Sequence, residues 1–377
     1  MAILALDAGT TGVTALVVSD SGAVISRGYR EFLQYFPEPG FVEHEPEEIW
    51  QATVAAATEA LSQTTTPLSA IGITNQRETI VLWDKHTLRS PRKAIVWQDR
   101  RTAELVQQLK ASGLEPRIQK LTGLGLDPYF SSSKLLWLSV NEPELWLAVN
   151  EGSLRIGTVD SYLVARLTAG AAHVTDASNA SRTQLLDISS GSWSDELLEV
   201  FNVPKSALPK VVPSYGEIAR TDPSSFLNLS LPITGIAGDQ QAALFGQTAF
   251  AVGEGKCTYG TGAFMLTNTG SKIIESQNGL LSTIAWQAPD GSLTYALEGS
   301  VFVAGAAVQW LRDGLGIIAS SSEIEDLAAS VPDSGGVMFI PALTGLGAPH
   351  WDPDARGTLF GITRGTTRAH IARATLE

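Results

Sequence analysis

Two stretches of this chain repeat one design, and the repeat limits what the chain can fold into. Near the start, Ile3-Leu-Ala-Leu6 runs into Asp7, turns through Gly9-Thr10-Thr11-Gly12 and resumes as Val13-Thr-Ala-Leu-Val-Val18. Further on, Lys256-Cys-Thr-Tyr259 runs into Gly260-Thr261-Gly262 and resumes as Ala263-Phe-Met-Leu-Thr-Asn268. Each reads as a β-hairpin with a Gly/Thr-rich tip. Such a tip turns backbone N–H groups and hydroxyls toward an anion such as phosphate, and Asp7 beside the first tip suits the accompanying cation. With 35 glycines a chance match is open. The second copy, however, falls just after a shift in composition around Gly246–Gly255, which favours duplication. Since 377 residues exceed one ordinary core, about two domains are expected, with the two tips on opposite walls of one cleft.

Charge and composition narrow the partners. With 44% hydrophobic and 17% charged residues the chain reads as globular, and a net charge of −13 leaves no Lys/Arg excess for nucleic acid or an anionic membrane. No apolar run approaches the ~18 residues of a membrane span. The N-terminus meets Asp7 without a basic or long apolar segment, unlike a secretory signal. Cys257 is the single cysteine, which excludes an intramolecular disulfide and fits a reducing, cytoplasmic setting. His44, His86, His173, His350 and His370 have no metal-ligand spacing, so no zinc site is expected. A homo-oligomer is neither required nor excluded.

Residues 3–6, 13–18 and 23–27 predict three short strands. Pro46 opens a helix in which Ile49, Trp50, Val54, Ala57 and Leu61 recur at helical spacing. Strands are expected at 70–74, 79–83 and 94–97, and a helix over 101–111. A helical pattern over 131–149 is interrupted at Pro143, and strands follow at 155–159 and 232–237, the second entering a helix at 238–246. Val301, Ala304, Val308 and Leu311 form another amphipathic helical pattern. This rhythm of strands and helices gives an α/β fold. At the end, Ile371, Ala374 and Leu376 lie at helical spacing with no cap or tail, the pattern of a truncated sequence.

Phosphoryl transfer needs a phosphate cradle, a carboxylate on the metal side and a group that takes the proton of the attacking hydroxyl. Neither a Walker-A run nor a Gly-x-Gly-x-x-Gly fingerprint is present, which leaves the two hairpin tips as cradles. Asp239 follows the strand Ile233-Thr-Gly-Ile-Ala237 at the turn into a helix. There it either caps the helix or accepts a proton at a strand end, where ligands bind in α/β proteins. Gln240 is placed to hold a hydroxyl, and Gln241 more naturally serves the helix. Arg77-Glu78 is either a solvated loop pair or a donor–acceptor fork for vicinal hydroxyls. Trp97 and Tyr129 are aromatic residues suited to packing or to a pocket wall.

Together these segments resemble the FGGY carbohydrate kinase family, in its polyol-phosphorylating branch. The resemblance rests on Leu6-Asp-Ala-Gly-Thr-Thr11, Gly72-Ile-Thr-Asn-Gln-Arg-Glu-Thr79, Trp97-Gln-Asp-Arg-Arg-Thr102, Asp127-Pro-Tyr-Phe130 and Asp176-Ala-Ser-Asn-Ala-Ser-Arg-Thr183. It continues through Gly235–Gly246, Thr258-Tyr-Gly-Thr-Gly262, Ala296-Leu-Glu-Gly-Ser300, Gln309-Trp-Leu-Arg312 and Thr344–Asp352, in order along the whole chain. It implies a two-domain actin/Hsp70-like ATPase (ribonuclease H-like) α/β fold with an interdomain cleft. Residues 1–246 would be the N-terminal carbohydrate kinase domain with the polyol and phosphate site. Residues 247–377 would be an incomplete C-terminal domain on the nucleotide side, lacking roughly the last quarter.

The resemblance also implies ATP-dependent phosphorylation of glycerol to sn-glycerol 3-phosphate, with ATP/ADP and Mg2+ as cofactors. Arg77, Glu78, Tyr129, Asp239 and Gln240 are then the polyol clamp, with Trp97 and Phe264 as apolar walls. Asp239 is the general base and Asp7 the carboxylate on the magnesium side. Thr10, Thr11, Gly12, Thr261, Gly305 and Gln309 hold the nucleotide. Two departures stand out: Thr14 replaces an arginine common in the family, and Gly12 replaces a serine. The stretch Ser225–Leu231, where some members carry a basic loop for a sugar bisphosphate inhibitor, has no Lys or Arg. Three alternatives remain at this point: a kinase for another polyol or sugar, a truncated chain that binds polyol without competent kinase activity, and an ATPase switch of the Hsp70 or actin type.

Overall fold

The computed structural model describes residues 1–352 and 354–377. It contains two compact units. One comprises Met1–Gly253, Asn268–Glu275 and Ser282–Ala296, and the other Glu254–Thr267, Ser276–Leu281 and Leu297–Glu377.

In the first unit the opening runs form β1 (Ala2–Ala8), β2 (Gly12–Ser19) and β3 (Val24–Glu31). Strand periodicity sorts their side chains: Ala2, Leu4, Leu6 and Ala8 of β1 are buried, whereas Ile3 and Asp7 face the other way and are exposed. Helix α1 (Pro46–Ser62) starts with proline in its first turn and with Glu47 and Glu48 at its positive end. It packs on β2 and β3 and buries Ile49, Thr53, Ala56, Ala57 and Ala60, a spacing that keeps one face inward. Each large aliphatic fully buried in this way is worth about 1.5–3 kcal/mol.

The chain continues through β4 (Leu68–Asn75), β5 (Ile80–Asp84), α2 (Ser131–Asn141), β6 (Leu154–Thr158), α3 (Val159–Leu167) and α4 (Ala177–Ser181). It then forms β7 (Tyr215–Arg220), β8 (Pro232–Gly238) and α5 (Asp239–Gly246). The main sheet runs β7-β8-β4-β1-β2-β3. Within it β1 pairs parallel with β4, and β4 with β8, while the outer pairings are antiparallel. Register places Ala8 beside Asn75, and Asn75 beside Gly238. The three parallel strands therefore end level, and the segments that follow them emerge along one edge: Gly9–Gly12, Gln76–Glu78 and Asp239–Gln241. A second, antiparallel sheet includes β5 and β6 and the short strands Gln34–Tyr35, Glu43–His44 and Ala94–Ile95.

In the second unit the predicted hairpin is present as β9 (Gly255–Tyr259) and β10 (Ala263–Gly270), with Tyr259 opposite Ala263. One expectation changes. Val301 does not begin a helix: it ends the strand Leu293–Val301 and is exposed, and α6 starts only at Gly305 and runs to Asp313. The helical spacing is carried by Val308 and Leu311, which pack in a small core with Ile324 and Ala372. Ala372 lies on the expected last helix, α7 (Arg368–Leu376), whose first turn is closed by reciprocal bonding of Thr367 and His370. Among the described residues no helix is long and apolar enough to cross a membrane.

Candidate active site

The first strand edge supplies a carboxylate and a turn. Asp7 lies opposite Thr14 on β2 and Thr74 on β4. With both threonines, Gln241, Phe245 and Trp286 it lines a cavity of about 460 Å³ on the sheet face away from α1. Its carboxylate opens onto this cavity, but protein surrounds the remaining sides. Incomplete hydration, and secondarily the charge of Asp239, push its pKa up from 3.8 to about 6. A carboxylate whose ionisation is opposed by burial and by a neighbouring negative charge gains from a cation.

The turn beyond Asp7 is fixed at several atoms. Gly9 N–H donates to Gly12 O at 3.0 Å, and Gly9 O accepts from Gln76 Nε2 at 3.0 Å. Thr10 O accepts from Gln34 Nε2, and Thr10 Oγ1 from Trp97 Nε1, each at 3.0 Å. Thr11 is exposed. Gly12 is buried, and a Cβ there would stand 2.6 Å from Arg30 O and 2.9 Å from Tyr29 Oη. The close approach of β3 thus accounts for glycine where the family often has serine.

The second and third edges meet at a buried cationic centre. Arg77 and Glu78 are 2% and 1% exposed, so they are no solvated loop pair. Arg77 Nη2 donates to Tyr129 Oη at 3.1 Å and Nη1 to Gln241 Oε1 at 3.2 Å, while Nε lies 3.5 Å from Asp239 Oδ1 and 3.7 Å from Glu78 Oε1. Gly238 makes room for this guanidinium: a Cβ there would be 2.7 Å from Arg77 Cγ and Cδ. Asp239 is not the cap of α5. Gly238 holds that position, and Asp239 is the first helical residue. Its oxygens instead accept from Gln240, Oδ1 from the backbone N–H at 2.8 Å and Oδ2 from Nε2 at 3.1 Å. The carboxylate is about one-third exposed, at 37%. It is held in orientation yet accessible.

Three residues that the sequence reading did not place in the site complete the centre. Arg182, fully buried, donates from Nε to Glu78 Oε1 at 2.7 Å and lies over the rings of Tyr129 and Phe130. Gln241 binds Arg77 rather than only its own helix. Buried Lys134 donates to the carbonyls of Pro128, Tyr129 and Phe130 at 2.5–3.2 Å, fixing the turn that carries Tyr129. Burial lowers its pKa to about 8. Arg182 was visible as a letter in Asp176–Thr183, but burial of an arginine against a distant glutamate leaves no local signal. Trp97 stands edge-to-face with Tyr129 at 5.6 Å, which joins the proposed wall to the clamp. Behind the site, Asp176 caps α4, and Ser178 Oγ of that helix accepts from Gly238 N–H at 3.0 Å.

In the second unit, Thr261 is exposed at the hairpin tip, and Gly305 and Gln309 are exposed on the first turns of α6. Thr261 O accepts from the N–H groups of Ala304 and Ala306, at 2.8 and 3.1 Å, and Gly260 O from Gly305 N–H at 2.9 Å. The tip carbonyls thus take up the first N–H groups of α6, and the tip and the helix start form one bonded surface. Phe264, assigned as an apolar wall, is 9% exposed on β10.

A buried Arg–Glu fork, a strand-end carboxylate and a Gly/Thr turn beside an acidic pair are parts that a small-molecule phosphotransferase needs. The chain belongs to the FGGY family of carbohydrate kinases: residues 2–246 match its N-terminal domain and residues 255–377 its C-terminal domain. Among curated proteins, a glycerol kinase of Trichlorobacter lovleyi is 56% identical over 381 residues, covering all of this chain and 76% of that protein. A glycerol kinase of Bdellovibrio bacteriovorus is 51% identical over 378 residues, with coverage of 100% and 76%. Among solved structures, Plasmodium falciparum glycerol kinase with ADP superposes with a TM-score of 0.88 at 38% identity, over 100% of this chain and 75% of that one.

Proposed function

We propose that this chain transfers the γ-phosphoryl group of ATP to a terminal hydroxyl of glycerol, giving sn-glycerol 3-phosphate and ADP. The observation that carries the reading is the buried Arg77–Glu78 fork facing Asp239, in a chain whose relatives at 51–56% identity are named glycerol kinases. Arg77 donates to, and Glu78 accepts from, neighbouring hydroxyls of the polyol, with Tyr129 and Gln240 completing the polar contacts. Trp97 and Phe264 are the apolar walls. This fork speaks against an Hsp70-like switch, which has no polyol to hold. Asp239 takes the proton of the attacking hydroxyl as its oxygen bonds to phosphorus and the bond to the ADP oxygen breaks.

Thr10, Thr11 and Gly12, with Thr261, Gly305 and Gln309, are assigned to the nucleotide. The ADP-bound relative supports nucleotide use. Among the described residues no group of three or more His, Cys, Asp or Glu could hold a metal. Asp7, with the charge of Asp239 acting on it, suits Mg2+, which takes one or two carboxylates and completes its shell with water and phosphate oxygens. Bound there, it would neutralise charge on the phosphates. The division into an acceptor- and phosphate-side domain up to Gly246 and a nucleotide-side domain beyond it belongs to the same proposal. Thr14 contributes no charge, so phosphate binding rests on the backbone, the hydroxyls and the metal.

The test is a coupled ADP-release assay with the chain, ATP, Mg2+ and a panel of polyols and ketoses. Turnover that requires glycerol is the expected result. ATP hydrolysis indifferent to every polyol would overturn the reading in favour of an ATPase switch, and preference for a ketose would reassign the acceptor.

A further inference from the structure

The hydrogen bonds behind the phosphate turn close on themselves. Gln76 Nε2 donates to Gly9 O at 3.0 Å, and Gln76 Oε1 accepts from Thr79 Oγ1 at 2.8 Å. Thr79 Oγ1 in turn accepts from Trp97 N–H at 3.1 Å, and Trp97 Nε1 donates to Thr10 Oγ1 at 3.0 Å. The path leaves the turn at Gly9, passes through three residues and returns to the turn at Thr10. Gln76 is 2% exposed and Thr79 is fully buried, so the bond between them is shielded from bulk water, while the bonds that reach Gly9, Trp97 and Thr10 are part-buried.

The directions are dictated by chemistry. Gly9 O only accepts, which orients the Gln76 amide and leaves Oε1 for the Thr79 proton. Thr79 then has a lone pair for Trp97 N–H. Because the indole N–H occupies a lone pair of Thr10 Oγ1, the Thr10 proton is free to donate elsewhere. Gln76 Nε2 also lies 3.3 Å from His44 Nδ1. Gly9 O already fixes Gln76 Nε2 as the donor side of the amide, so the contact selects the His44 tautomer with its proton on the ring Nε2, and burial keeps that ring neutral, its pKa lowered to about 4.

We propose that Gln76 and Thr79 are positioning residues that couple the acceptor wall to the phosphate turn, so that an acceptor packed against Trp97 steadies the Thr10 hydroxyl and tightens nucleotide binding. The inference rests on the roles proposed above for Trp97 and Thr10. By linkage, nucleotide bound at Thr10 must tighten acceptor binding by the same factor.

The experiment measures ADP and glycerol affinities by titration calorimetry, each with and without the other ligand. In the wild-type chain glycerol tightens ADP. Thr79→Val is isosteric and breaks two links of the ring. It should weaken ADP about tenfold, as for a lost buried hydrogen bond, and bring the ratio of ADP affinities with and without glycerol to near one. Glycerol affinity alone should change less than threefold. Thr79→Ser, which keeps the hydroxyl, should restore both the affinity and the ratio. Should Thr79→Val fail to fold, Trp97→Phe keeps the ring face and removes only the donor to Thr10, with the same expected loss in ADP affinity and coupling. A folded Thr79→Val or Trp97→Phe chain with wild-type ADP affinity and coupling overturns the inference, as does a Thr79→Ser chain no better than Thr79→Val. A wild-type chain that binds neither glycerol nor ADP overturns the kinase reading itself, and the inference with it.

Discussion

Replacing Arg182 by methionine tests the electrostatic core of the proposed acceptor clamp. Arg182 and Glu78 are 0% and 1% exposed, and Nε stands 2.7 Å from Oε1. At that distance the attraction is about 6 kcal/mol at an effective dielectric of 20, most of which only repays the desolvation of two buried charges. Removing one partner leaves the other charge stranded, a loss of about 3–5 kcal/mol. Loss of the guanidinium over Tyr129 and Phe130 adds about 1 kcal/mol. Arg77 Nε, 3.7 Å from the same oxygen, offsets part of this. We therefore expect Arg182→Met to destabilise the chain by about 3 kcal/mol and to raise the KM for glycerol, because Glu78 loses its fixed orientation. Urea denaturation followed by tryptophan fluorescence measures the first quantity. The double variant Glu78→Gln/Arg182→Met should recover about 1–2 kcal/mol, since it no longer buries a lone carboxylate. A single variant within about 0.5 kcal/mol of wild type, or a double variant whose loss is the sum of the two single losses, would refute the reasoning.

Two further outcomes follow from the same geometry. Asp7 has a pKa raised in the folded chain, from 3.8 to about 6, so the unfolded chain loses this proton first as pH rises. Stability should fall between about pH 4 and 6 and level off above, and thermal unfolding across that range should show the fall absent in Asp7→Asn. Full conversion of the shift gives about 3 kcal/mol, but an exposed carboxylate is screened, so a difference of ~1–2 kcal/mol is expected at pH 7. Gly238→Ala places a methyl 2.7 Å from Arg77 Cγ and Cδ. It should push the guanidinium off Tyr129 and Asp239 and raise the glycerol KM about tenfold, ~1.4 kcal/mol, with a smaller change in the KM for ATP.

Much of this was legible in the residues, for reasons that can be stated. The three opening strands, α1 and the strand–helix joint at Asp239 follow from apolar periodicity and from glycine and proline placement, which are local signals. Asp7, Asp239 and the Arg77–Glu78 pair stood out as candidates because each stands where an apolar run stops. The burial of Arg77–Glu78, the identity of Arg182 as the partner of Glu78 and the use of Gln241 as a ligand of Arg77 are long-range facts. They depend on which strands run parallel and end level, and a linear pattern does not encode that. Val301 shows the opposite failure: its spacing with Val308 and Leu311 is helical, but the residue completes a strand. Gly12 could be read only as a departure until β3 was seen lying against it.

The central claim is that Asp239 accepts the proton of a glycerol hydroxyl. Its most direct test is kcat for glycerol phosphorylation by Asp239→Asn, with glycerol affinity measured on the same preparation. The amide keeps the size and one accepting oxygen for Gln240 N–H, gives up the bond accepted from Gln240 Nε2 and has no basic oxygen, so kcat should fall about 10²–10⁴-fold while glycerol affinity stays within a few-fold. Wild-type turnover by Asp239→Asn would contradict the account.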